Sequence, residues 1–206
     1  MNFRSYVAHE RALITLAASQ GGYFTSKQAA AIGYTAPKRN YHVHVGNWVR
    51  ERRGIFRLST QPLPARPDLI LWWLWSRNRQ DEPQGVYSHQ TALSLHELTD
   101  VMPSRLHMTV PKTFRRSPPI PKPVVLHMAE LPSSDIEQID GVPVTKALRT
   151  LIDVAASGEV PLPDLQLAFA EATRSGKITH AEIAAAKRDA GQQDVLRLLH
   201  RQGGTR

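Results

Sequence analysis

Two short stretches of the chain gather residue types that could do chemistry. "APKRNYHVH" (36–44) holds Lys38, Arg39, Asn40 and His42, and "WVRERRGIFRLS" (48–59) threads Arg50, Arg52, Arg53 and Arg57 between apolar residues. Arginine and asparagine carry paired hydrogen-bonding groups that match guanine and adenine edges in the major groove. Arginine is also favoured along phosphates and in narrow minor grooves. The chemistry this predicts is recognition of a polyanion, not the making or breaking of a bond.

Other chemistries fit less well. Nine histidines invite a metal reading, although no cysteine is present to serve as a ligand. His42 and His44 are two apart and point to different sides of a helix, and His89 and His96, seven apart, are too distant to chelate one ion. His107 and His127 alternate with apolar residues on candidate strands and read as surface or internally satisfied histidines. The sequence has no HExxH, no glycine-rich phosphate loop and no GxSxG. Asp140 and Asp153 do not form the Asp…Glu-x-Lys pattern of a metal-dependent nuclease. We expect no catalytic residue, no bound metal and no cofactor. A nuclease is the enzymatic alternative.

The basic stretches need elements to hold them. Apolar residues at helical spacing predict a helix over 4–19, ended by Gly21-Gly22, with Phe24 as an anchor after it. "TSKQAAAIG" opens with Thr25 and has Gln28 three residues on, a capping box, and Gly33 stops the helix. A third helix runs from about Ala36 to Val45, with Thr35 as N-cap and Pro37 in the first turn, where a missing N–H costs nothing. Two short helices joined by a glycine turn behind a leading helix are helix-turn-helix grammar. Lys38, Arg39, Asn40 and His42 would then meet base edges. Trp48-Val49 and Ile55–Leu58 follow as a hairpin turned at Gly54, with Arg50, Arg52 and Arg57 facing outward. This is a wing. Thr25, Ser26, Lys27, Arg50, Arg52, Arg53 and Arg57 are the residues expected at phosphates or in the minor groove.

Charge supports this placement. The net charge is +8. Residues 1–62 hold nine Lys/Arg against Glu10 and Glu51, a net +7, whereas residues 63–206 hold 17 Lys/Arg against 16 Asp/Glu. Such asymmetry points to nucleic acid, DNA or RNA, and the helix-turn-helix and wing make double-stranded DNA the expected partner. "STQPLPARP" (59–67) reads as a stiff linker, which divides the chain into a winged helix-turn-helix domain (1–62) and a second domain (63–206). The second domain should begin with a buried helix at "DLILWWLWSRNR". A helix over 88–98 capped by Ser88 follows, then strands at 105–111, 124–129 and 141–145 and a helix over 146–158. Helices at about 162–174, 179–189 and 191–201 complete it, before a frayed "GGTR". The fold class is α+β: an N-terminal winged helix-turn-helix, then a mixed α+β domain with a small sheet and C-terminal helices. The apolar run "LILWWLW" is far shorter than the roughly 20 residues of a membrane span. Glu10 and Arg11 interrupt the apolar part of the N-terminal stretch, so no signal peptide, no membrane association and a cytoplasmic location are expected.

Three segments together resemble the AbiEi-like antitoxin family of bacterial toxin–antitoxin systems. They are "GGYFTSKQAAAIGYTAPKRNYHVHVGNWVRERRGIFRLS" (21–59), similar to that family's winged helix, "YSHQTALSLHELTDVMPSRLHMTVP" (87–111) and "GVPVTKALRTLIDVAASG" (141–158). The resemblance implies a repressor of its own operon that binds promoter repeats. It also implies a partner, a nucleotidyltransferase-like toxin from the adjacent gene. A free-standing winged-helix regulator without a toxin is the alternative, and a monomer with two DNA sites and a dimer on DNA both stay open.

Overall fold

A computed structural model describes residues 3–100, 102–116, 119–189 and 191–200. The chain divides into two compact units. Of the described residues, the first comprises those up to 85 with 114–116 and 140–142, and the second comprises the others.

In the first unit, α1 (Phe3–Ala18) precedes β1 (Tyr23–Thr25), α2 (Ser26–Ile32), α3 (Ala36–His44), β2 (Trp48–Arg52), β3 (Ile55–Leu58) and α4 (Pro67–Trp75). The expected capping box forms: Thr25 Oγ1 accepts from the Gln28 backbone N–H at 3.1 Å, and Gln28 Oε1 accepts from the Thr25 N–H at 2.8 Å. Gly33 ends α2 at φ 110°. A Cβ there would lie 2.7 Å from the His9 ring, so glycine serves both the left-handed turn and the close approach of α1. Pro37 sits in the first turn of α3. Thr35 is the N-cap by backbone position, without a side-chain cap bond. The three strands pair antiparallel in the order β1-β3-β2. The residue read as an anchor, Phe24, is therefore the centre of a short strand.

Leu13, Ala17, Phe24, Ala29, Trp48 and Phe56 form the core of this unit. The unit continues past the expected linker at 59–67. Thr25 Oγ1 donates to Asp81 Oδ2 at 2.8 Å, the Arg52 guanidinium lies 4.4 Å from the Trp72 ring centre, and Lys27 Nζ donates to the Arg79 carbonyl at 2.7 Å. The tryptophan-rich helix α4 thus packs with the winged helix, and the boundary expected after residue 62 lies inside the unit. Its apolar residues Leu69, Ile70, Trp72, Leu74 and Trp75 are all buried.

The second unit contains β4 (Val86–Tyr87), α5 (His89–Leu95), β5 (Leu106–Val110), β6 (Val124–Met128), β7 (Ile136–Ile139), β8 (Val142–Thr145), α6 (Ala147–Ser157), α7 (Leu162–Arg174), α8 (His180–Ala186) and α9 (Gln193–His200). The strands form one mixed sheet in the order β6-β5-β4-β8-β7. β4 and β7 add to the strands expected from sequence. β4 is two residues long, too short to show a period, and β7 is an edge strand whose Glu137 and Gln138 are exposed. Leu148, Leu151, Leu165, Phe169, Ile178 and Leu196 belong to the helical core. The 112–123 segment is a loop, as expected, apart from residues 117–118, which lie outside the described residues. The frayed "GGTR" (203–206) also lies outside them.

Candidate nucleic-acid interface

Helix α3 is positioned from its inner face. Trp48, at the start of β2, is 3% exposed and sits among rings: Phe24 edge-on at 4.8 Å, Tyr34 edge-on at 5.1 Å and His42 stacked at 4.8 Å with 12° between planes. Each well-placed ring pair contributes about 0.5–1.5 kcal/mol beyond its buried area. His42 is therefore a core ring and not a base-facing group. Burial pushes its imidazole below the ordinary value, partly offset by Glu10. Its Nδ1 lies 3.2 Å from Asn47 Nδ2. Arg39, expected at a base edge, donates from Nη1 to the Tyr34 carbonyl at 2.6 Å and is half-buried. It braces the turn between α2 and α3.

What α3 offers to solvent is a stripe at helical spacing: Pro37, Asn40, Tyr41, His44 and Val45 are exposed, Tyr41 at 61%. Tyr41 and His44 were missed in the sequence reading, which took the N-terminal run of α3 and not a face. Placing His42 and Val43 inward fixes 37, 40, 41 and 44 as the opposite side. Lys38 flanks this stripe and is half-buried.

The wing is built as expected and carries its arginines unequally. Gly54 makes the turn at φ 80°. The ladder is irregular between Arg50 and Arg52, a local break that twists the strand and re-aims its side chains. Arg50 donates from Nη2 to Asn40 Oδ1 at 3.2 Å and lies over the Phe56 ring. The wing and α3 are thereby joined, and the Asn40 amide N–H groups stay available as donors. Arg53 is exposed at the turn. Arg52 is stacked on Trp72. Arg57 is committed inward: its Nε donates to Glu51 Oε1 at 2.9 Å, and its Nη1 to the Leu58 and Gln61 carbonyls.

The wing turn also meets the start of α2, because the Ser26 N–H donates to the Gly54 carbonyl at 2.9 Å. Ser26, Lys27 and Arg53 therefore form one neighbourhood, and Asn40, Arg50 and Tyr41 another. Thr25 is buried and spent on the capping box and Asp81.

The second unit holds a cluster that sequence spacing did not reveal. His89 stacks on His127 with ring centres 3.5 Å apart and 9° between planes, and His107 Nδ1 lies 3.1 Å from His127 Nε2. His89 Nδ1 is 3.0 Å from Ser88 Oγ, which accepts from Thr109 Oγ1 at 2.8 Å. Ser88 is thus at the N-cap position of α5 without capping by its side chain. Burial drives His89 down to about 3, reinforced by His127, His107 and Arg149, and burial also lowers His107 and His127. These are neutral, stacked rings. Among the described residues, no group of three or more His, Cys, Asp or Glu is arranged to hold a metal ion. His96 bonds through Nε2 with the Thr145 carbonyl at 2.7 Å. No described helix is long and apolar enough to cross a membrane.

Residues 11–59 match the family model described as "Transcriptional regulator, AbiEi antitoxin". The match spans the helix-turn-helix and the wing, in agreement with the resemblance found in the sequence. Among solved structures, the chain is similar to the RV2827C protein from Mycobacterium tuberculosis, with a TM-score of 0.58 and 14% identity, covering 96% of this chain and 78% of that one. At that identity the similarity shows a shared fold. No curated protein matches.

Proposed function

We propose that this chain is a DNA-binding antitoxin and repressor of its own operon, acting in the cytoplasm without cofactor or catalytic chemistry. The carrying observation is that the family match at 11–59 coincides with a winged helix whose exposed stripe is joined to its wing through Arg50 and Asn40. In this reading α3 enters the major groove. Asn40 donates to purine N7 or guanine O6, and Tyr41 and His44 reach neighbouring base edges. Arg53, Lys27 and Ser26 lie along the phosphates and fix the register. The DNA is double-stranded and carries the promoter repeats. The second unit faces the partner, a nucleotidyltransferase-like toxin from the adjacent gene.

Gel shifts with the chain's own upstream region test the DNA half, with binding expected there and not on shuffled sequence. Co-expression with the adjacent gene tests the toxin half, through growth rescue and a co-purifying complex. One observation favours a second reading, a free-standing regulator: the family match ends at residue 59 and leaves the second unit unmatched. DNA binding without rescue or complex would select that reading. DNA cleavage with Mg²⁺ or Mn²⁺ would overturn the non-enzymatic assignment.

A further inference from the structure

The turn that follows α4 is a small, self-closed structure with an arginine at its tip. Arg77 bridges to Pro83 across the base. Asn78 organises the rest, because its Oδ1 accepts from the Gln80 and Glu82 backbone N–H groups at 2.9 and 3.0 Å. An asparagine side chain that satisfies its own turn in this way fixes the loop without strand neighbours. Asp81 takes a left-handed φ of 70°, a conformation that non-glycine residues adopt only when their surroundings hold them there. Arg79 and Gln80 are exposed at the tip. Glu82 is exposed too, and its carboxylate accepts from Asn78 Nδ2 at 3.0 Å within the turn.

This turn is fastened to the start of α2. Asp81 Oδ2 accepts from Thr25 Oγ1 at 2.8 Å, and the Arg79 carbonyl accepts from Lys27 Nζ at 2.7 Å. Arg77, its side chain 10% exposed, donates from Nη2 to Gln20 Oε1 at 2.7 Å and pairs with Asp81 at 3.6 Å. Gln20 exchanges hydrogen bonds with Gln28 of the capping box. Arg116 holds the base of the turn, donating from Nη1 to the Trp75 and Arg77 carbonyls at 2.6 and 2.9 Å. Ser26, for its part, meets the Gly54 carbonyl of the wing turn. The start of α2 is thus gripped by two turns, each with an exposed arginine, Arg53 on one and Arg79 on the other, and it carries the exposed Lys27 itself. The charge of the chain follows this arrangement. With Arg115 and Arg116 folded into it, the first unit holds 14 Lys/Arg against six Asp/Glu, which is the whole net charge of +8.

We propose that the 77–83 turn acts as a second wing, and that Arg79 neutralises a phosphate of double-stranded DNA beyond those met by Lys27 and Arg53. This rests on the DNA-binding reading and extends it past the family match, which ends at residue 59. A turn already fixed by its own hydrogen bonds loses little conformational freedom on meeting the backbone. Contact and mere proximity differ in their salt dependence. Each phosphate neutralised by a cation adds about 0.9 to the slope of log K against log salt, whereas an exposed charge farther off than about 10 Å is screened at 0.1 M salt.

The test measures binding of the full-length wild type, Arg79→Ala, Arg79→Lys and Arg53→Ala to a duplex of the chain's own upstream region, by fluorescence anisotropy over a salt series. The duplex is used intact and as a set in which single phosphates are replaced by neutral methylphosphonates. Thermal melts check that each variant folds. Arg79→Ala is expected to flatten the salt slope by about 0.9, so that its deficit shrinks about 1.9-fold with each doubling of salt. Arg79→Lys keeps the slope, because the lysine cation can meet the same phosphate. One methylphosphonate position weakens the wild type and leaves Arg79→Ala unaffected, and it differs from the position to which Arg53→Ala is indifferent. An Arg79→Ala protein with the slope and phosphate profile of the wild type overturns the proposal, as does an Arg79→Lys protein no better than Arg79→Ala. If Arg53→Ala alone flattens the slope, the DNA-binding reading stands and the second wing falls. A wild type that does not bind the duplex fails the DNA-binding reading itself.

Discussion

Arg53 and Arg57 stand four residues apart in one hairpin and should behave in opposite ways when each is changed to alanine. Arg53 is exposed at the wing turn. Arg57 is held by Glu51 at 2.9 Å, with its side chain 13% exposed. A phosphate contact contributes about 0.9 to the slope of log K against log salt. Removing Arg53 should therefore flatten that slope by about 0.9 and leave thermal stability nearly unchanged. Removing Arg57 takes no cation away from the exposed face of the wing but leaves Glu51 partly buried without its partner. That costs about 1–3 kcal/mol, a shift of a few degrees in Tm for a unit of this size. The assay is fluorescence anisotropy on the operator at several salt concentrations, paired with thermal melts. If Arg57→Ala flattens the slope as much as Arg53→Ala, the inward commitment of Arg57 is refuted.

Three further outcomes follow from named contacts. Asn40→Ala and Tyr41→Ala should change which bases are preferred, read from a panel of single-base operator variants, while leaving the salt slope within error. Gly33→Ala should destabilise the first unit by about 1–3 kcal/mol in urea titrations, because a Cβ at φ 110° is strained and meets the His9 ring. The second unit should lose stability as pH falls below the ordinary histidine range. Native His89 titrates at about 3 and is lowered by burial, His127, His107 and Arg149 in turn, so between about 6.5 and 3 the unfolded chain binds the extra proton. Unfolding free energies from urea titrations at pH 7 and pH 5 should differ, the pH 5 value being lower by roughly 1.4 kcal/mol for each pH unit below about 6.5 for that histidine, and His89→Gln should reduce the dependence.

The sequence was most legible where a local rule has one physical solution. Thr25 with Gln28 could satisfy two free N–H groups only as a capping box. Pro37 fitted only a first turn, and Gly54 only a turn between strands. Each of these stands in the structure. Charge and spacing located the basic surface but not its division of labour. Whether an arginine faces out or braces its own hairpin depends on Glu51, Trp72 and the Tyr34 carbonyl. Those neighbours are set by tertiary packing, which no window of sequence contains. The same limit hid the place of α4, whose tryptophans read as the start of a second domain and instead receive Arg52. It also hid the histidine cluster, because His89, His107 and His127 become neighbours only through strand order.

Histidine illustrates how composition misleads without geometry. A chain with nine histidines suggests metal or proton chemistry, yet the structure uses four of them, His42, His89, His107 and His127, as flat rings in stacks. A neutral imidazole packs like an aromatic ring and still offers one donor and one acceptor. It can therefore fill a core position that also has a polar neighbour, as His42 does beside Asn47 and His89 beside Ser88. Phenylalanine would leave those partners unsatisfied, and asparagine would leave the stack unfilled. The same choice makes both units sensitive to acid, since every one of the four is pushed below the ordinary value chiefly by burial. In the winged helix this has a functional consequence. Protonating His42 places a charge beneath Trp48, against the inner face that sets the height of α3. Base reading by Asn40 and Tyr41 should then fail at a pH where the wing arginines, still fully charged, go on binding DNA without sequence preference.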